Sequence, residues 1–113
     1  MKTLNITVET VDDVKRRISA AVKSGRADLN RYTFKSIDDF SRTLTPTRWA
    51  IINAMAGAGT MSFRELARRV ERDVKGVHTD AQALLNVGLI EKTGDGIAFP
   101  YDAVHVDFKL RAA

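Results

Sequence analysis

The chain has 113 residues, 44% of them hydrophobic, with no cysteine and a formal net charge of +4. That length suits one domain, or one domain with a small appendage, around a single core, and the missing cysteines exclude disulfides and thiolate zinc sites. No apolar run approaches the roughly 20 residues needed to cross a bilayer, and the opening MKTLNITVETVDD lacks a secretory pattern, so a cytoplasmic protein without membrane contact is expected.

Residues 3–9 alternate, with Leu4, Ile6 and Val8 on one face and Thr3, Asn5, Thr7 and Glu9 on the other, as in a half-buried strand. Thr10 then reads as an N-cap, with Asp12 and Asp13 at the positive end of a helix dipole. Val11, Val14, Ile18, Ala21 and Val22 form its apolar stripe, and Gly25 ends it. Residues 26–30 read as a loop. Residues 31–35 alternate again, with Tyr32 and Phe34 on one side. Ser36 caps a short helix whose Ile37, Phe40 and Leu44 face inward, and Thr45-Pro46 opens the next, with Trp49, Ile52, Met55 and Ala56 as its core stripe.

Gly57 and Gly59 stop that helix, and Ser62 with Glu65 form a capping box for another, buried through Phe63, Leu66, Ala67 and Val70. Asp73 caps a helix over residues 73–87, buried through Val74, Val77, Ala81, Leu84 and Leu85 and broken by Gly88. LIEKT and GIAF read as two short strands around Gly94-Asp95-Gly96, a good hairpin turn. Residues 104–110 alternate, with Val104, Val106, Phe108 and Leu110 on one face. The strands at 3–8, 31–35 and 104–110 and the helix at 11–24 would make a two-layer unit, its sheet burying one face on that helix and keeping the other polar.

Two helices, a tight joint, a third helix and a hairpin give the order of a winged helix-turn-helix: a three-helix core plus a β-hairpin wing. The expected class is α+β, with a terminal α/β element of three strands and one helix. Residues 1–36 form the strand-helix-strand element, for dimerisation or partner binding. Residues 37–100 form the winged helix-turn-helix, and residues 101–113 the strand that rejoins the terminal sheet.

The charge follows this division. Residues 42–75 hold seven of the 18 bases and three of the 14 acids, so the rest of the chain is neutral. A local cationic surplus points to a polyanionic partner, here double-stranded DNA, against the plain alternative of a solvated basic face. A major groove takes one helix, and the N-terminal half of helix 73–87 carries Lys75, His78, Thr79 and Gln82 off its core side. These are the candidate base contacts: Gln82 suits adenine by two hydrogen bonds, and Lys75 reaches guanine or phosphate. His78 is a DNA contact or a surface and packing residue. Candidate phosphate contacts are Arg48, Ser62, Arg64, Arg68, Arg69, Arg72 and, in the hairpin, Lys92. Gly76 lowers helix propensity by about 1 kcal/mol relative to alanine, which close approach of DNA backbone or of another helix would explain. Asp80 suits an arginine within the chain better than a base.

The motifs LTPTRW at 44–49, SFRELARR at 62–69, RDVKGVHTD at 72–80 and LNVGLI at 85–90, with the ending PYDAVHVDFKL, resemble the MarR-like winged-helix regulators. They are most similar to a group of small bacterial and archaeal proteins of that kind, in which Phe63 and Gly76 fall at positions expected to vary. The resemblance implies transcriptional regulation. Because such genes often lie beside RelE-type toxin genes, it also implies a second role, as an antitoxin that binds its toxin and autoregulates its operon. A homodimer is expected, since symmetric sites are read by symmetric proteins. The rival is a protein-interaction module whose terminal sheet receives a toxin. Neither catalysis nor a cofactor is expected. His78 and His105 lack a nucleophile and an orienting acid, His105 with Asp107 gives too few ligands for a metal, and GAGT at 57–60 lacks the lysine of a phosphate loop.

Overall fold

The computed structural model describes residues 1–25 and 30–109. Its elements are β1 (Thr3–Val8), α1 (Val11–Ser24), β2 (Arg31–Phe34), α2 (Ile37–Thr43), α3 (Pro46–Met55), α4 (Phe63–Val70), α5 (Val74–Asn86), β3 (Glu91–Thr93), β4 (Gly96–Ala98) and β5 (Ala103–Asp107). The class is α+β, with two small sheets ordered β2-β1-β5 and β3-β4. The loop expected over 26–30 lies, apart from Asn30, outside the described residues, as does Leu110.

Every helix starts on a polar residue in extended backbone whose side chain accepts the amide three residues on: Thr10, Ser36, Thr45, Ser62 and Asp73. Each such cap is worth about 1 kcal/mol. The reciprocal box expected at Ser62 and Glu65 is only half made. Ser62 Oγ accepts from the Glu65 amide at 3.0 Å, but the Glu65 carboxylate turns to Arg68 and Arg69, whose charged donors outcompete a backbone N–H. The full box forms instead at Thr10 and Asp13.

All three strands of the larger sheet are parallel, with β1 in the middle. Ile6 lies beside Tyr32 and Val106, and Leu4 beside Val104, which sets one apolar face. That face does not pack on α1, contrary to the alternation argument. Leu4, Ile6 and Phe34 join one continuous core with Leu44, Ile51, Ile52 and Met55, and Phe40 and Trp49 pack against it. No α1 residue is buried or belongs to this core. The reason is area: a sheet with one apolar face gains most by covering the larger apolar surface, and α1 offers only valine, isoleucine and alanine while α2 and α3 offer aromatic rings. Arg17 ties α1 to the other, polar side through Glu9 at 3.1 Å. Ile37, expected inside, stands 37% exposed at the first turn of α2.

Helices α3, α4 and α5 pack on one another through Ile51, Met55, Leu66, Ala67, Val77, Ala81 and Leu84. Glu71 closes α4 in the left-handed conformation, φ 56° and ψ 48°, which makes the joint to α5 tight. The β3-β4 hairpin turns at Gly94 and Asp95. It is anchored by a bridge that the sequence did not announce: Met61 and Ile97 exchange backbone hydrogen bonds of 2.9 and 2.8 Å.

Candidate nucleic-acid interface

Helix α5 is the element to which the candidate residues converge. Its buried side is Val77, Ala81 and Leu84. Lys75, Thr79, Gln82 and Asn86 follow at spacings of four, three and four, a single stripe opposite that side. Lys75, His78 and Thr79 are exposed and Gln82 is half-exposed, so this stripe opens to solvent. Its polar groups are already oriented. Thr79 Oγ1 donates to the Lys75 carbonyl at 3.1 Å, leaving its lone pairs outward. Gln82 Nε2 donates to Asn86 Oδ1 at 3.1 Å, so Asn86, which sequence reasoning left out of the site, fixes the amide of its best candidate reader. His78 lies to one flank, its ring 4.6 Å from that of Phe63 on α4. Of the two roles open to it, the packing one is visible.

The cap explains the glycine. Asp73 accepts from the Gly76 amide at 2.9 Å. A Cβ at Gly76 would lie 3.0 Å from both Arg72 Nη2 and Asp73 Oδ1, so side chains of the joint already crowd this position.

The seven candidate phosphate contacts fall into two sets. Ser62, Arg64, Arg68, Arg69 and Lys92 are exposed. Arg68 and Arg69 share Glu65, at 3.0 and 2.9 Å through their Nε atoms. Those hydrogen bonds hold the Glu65 carboxyl down at about 2, so it is charged at neutral pH and offsets one of the two guanidiniums. Ion pairs at the surface hold their partners weakly, so a phosphate could replace the carboxylate. Arg48 and Arg72 are different. Both turn inward to Asp80, at 3.1 Å through Arg48 Nε and 2.9 Å through Arg72 Nη1, and all three side chains are under one-third exposed. Arg48 Nη1 also donates to the Thr43 carbonyl at the end of α2. The pair braces α2, α3 and α5 and is not held outward as a clamp.

Asp80 itself is held below its ordinary value: burial opposes this, but hydrogen bonds from Arg72, Arg48 and Thr47 and the charge on Arg72 prevail. A last brace was not foreseen. Tyr32 Oη on β2 donates to the Val87 carbonyl at 2.8 Å, pinning the C-terminal end of α5 to the larger sheet. No alternation or spacing rule reports such a contact, because it links residues 55 apart.

A family model, HVO_A0114, matches residues 43–106, a segment that begins at the end of α2 and runs through the helical unit, the hairpin and most of β5. No curated protein and no solved structure matches the chain.

Proposed function

The chain belongs to the HVO_A0114 family, and we propose that it is a sequence-specific double-stranded DNA-binding transcriptional regulator, a winged helix-turn-helix akin to the MarR-like proteins it resembles. In this reading α5 enters the major groove and the β3-β4 hairpin is the wing. The observation that carries it is the outward stripe of α5: Lys75, Thr79 and Gln82 stand open on a helix braced from behind, with Arg64, Arg68 and Arg69 exposed on the adjoining helix. A groove admits one such helix, and guanidiniums along its rim neutralise phosphates without reading sequence. Gln82 then reads adenine, Lys75 guanine or phosphate, and Ser62 and Lys92 touch the flanking backbone. Repression follows if α5 and the wing cover a promoter. The protein acts as a cytoplasmic homodimer on a two-fold site.

Selection of bound duplexes from a random pool, followed by titration at several salt concentrations, tests this. Replacing Arg68 and Arg69 together by alanine lowers affinity for all duplexes and flattens the salt slope by about one to two. Gln82→Ala relaxes preference at one base position by about 1–3 kcal/mol and leaves the salt slope unchanged. A wild-type chain that ignores duplexes in dilute buffer would defeat the proposal.

A further inference from the structure

Strand β5 is an outer strand of its sheet, and among the described residues no strand lies beyond it. The direction of its backbone groups follows from the ladder. Asn5 donates to the Asn30 carbonyl and Glu9 to that of Phe34, so the odd-numbered residues of this stretch turn toward β2. Backbone groups alternate in direction along a strand, so Leu4 and Ile6 turn toward β5. By the register, Ala103, His105 and Asp107 answer them, and Val104 and Val106 aim their amides and carbonyls at the open edge. Native edges are ordinarily blunted by lysine, proline or extreme shortness. Residues 103–107 hold neither lysine nor proline, whereas β2, at the opposite edge, has four residues and begins with Arg31. One face of the β5 edge is apolar, with Val106 and Phe108 each 37% exposed. On the other face His105 and Asp107 are exposed, and neither makes a hydrogen bond or an ion pair.

We propose that this edge is where a second copy of the chain adds its own β5, antiparallel and centred on Val106, joining two sheets into one. Side chains select both occupant and register. Two antiparallel registers about a two-fold overlap most of β5. Centred on His105, the imidazole faces its own copy and Asp107 faces Ala103. Centred on Val106, His105 faces Asp107 of the partner subunit, twice over by the two-fold axis, so a ring donor meets a carboxylate. That pair falls between hydrogen-bonded pairs, where opposing side chains come closest. On the apolar face Val104 meets Phe108 of the partner subunit and Val106 meets its copy, which covers the surface left in water. Any strand satisfies the edge's backbone; a second β5 also matches both of its faces.

Few residues join, so the pairing is concentration-dependent, and two half-sites bound at once strengthen it. The inference names the contact surface for the two-fold reading above and rests on that symmetry, not on its DNA contacts.

Sedimentation of the full chain across a concentration series tests it. The mass is expected to rise from the 12.5 kDa of one chain toward twice that value. His105→Asp sets carboxylates across from one another and should raise the dimer dissociation constant about tenfold. Asp107→His should weaken the dimer as well, and the two exchanged together should restore it. Val106→Pro removes an outward amide and leaves the inward ladder to β1 its donors; it should abolish the dimer with unchanged circular dichroism. A wild-type mass that stays at one chain overturns the proposal. So does a dimer indifferent to His105→Asp, whether or not the Val106→Pro chain folds. Singles that weaken without rescue overturn the register centred on Val106. Half-site duplex binding, followed on the same samples, should be untouched by His105→Asp, so loss of the DNA reading and loss of this interface register separately.

Discussion

Asp80 accepts from two arginines and thereby decides what both can do. Replacing it by asparagine keeps the shape but leaves two guanidiniums without their counter-charge, half inside the fold. Removing one partner of a fully buried pair costs about 3–5 kcal/mol; with these side chains 15–29% exposed, about 1–3 kcal/mol is expected for Asp80→Asn. The pH dependence has a definite sign. The folded carboxyl titrates below its ordinary value of 3.8, so its contribution is fully present above that value and is lost as pH falls through the depressed one. Urea midpoints of wild type and Asp80→Asn should differ at pH 7 and converge in acid. A constant gap would show that the charge of Asp80 is not what stabilises.

The hairpin and α4 move as one element because Met61 bridges Ile97 immediately before the Ser62 cap. Gly96 permits that closeness: a Cβ there would lie 2.6 Å from the Met61 carbonyl oxygen and 2.8 Å from Thr60 Cγ2. The nearest atom is backbone, so it cannot swing away. Gly96→Ala should destabilise by about 1–3 kcal/mol, read as a lower urea midpoint with an unchanged slope; an unaltered midpoint would mean the bridge is dispensable.

Elements with a strong local signature were legible. Among the described residues, caps announced four helices and Pro46 announced α3, and Gly94-Asp95-Gly96 announced the hairpin. The stripe Trp49, Ile52, Met55 and Ala56 understates the core side of α3, since Ile51 is as buried as Ile52 and Met55; a helix enclosed on most sides has weak periodicity. Partner choice was illegible. Alternation gave the faces of the sheet and the stripe of α1, yet not that each would turn away from the other, because that depends on competition with α2 and α3. At the candidate site, the open stripe of α5 followed from spacing, while the inward turn of Arg48 and Arg72 required the position of Asp80.

At the scale of the molecule, the terminal sheet and the helical unit share one core: Leu4, Ile6 and Phe34 are continuous with Ile51, Leu66 and Leu84. Neither half keeps its apolar surface covered without the other. Denaturant unfolding should therefore be one transition, with Trp49 fluorescence and far-ultraviolet circular dichroism giving the same midpoint. Two midpoints would mean that the sheet detaches first.

The central strand has a partner that arrives late. Lys2 and Asp102 exchange hydrogen bonds across 100 residues of sequence, and β5 completes β1 only when residues 103–107 have left the ribosome. Closing so long a loop into a parallel ladder is slow, while α3, α4 and α5 make local contacts and form early. A nascent chain thus carries one bare flank of β1, with unpaired amides beside Leu4 and Ile6, through most of its synthesis. Until β5 arrives, that flank is an open sheet edge on which the strand of another chain could pair.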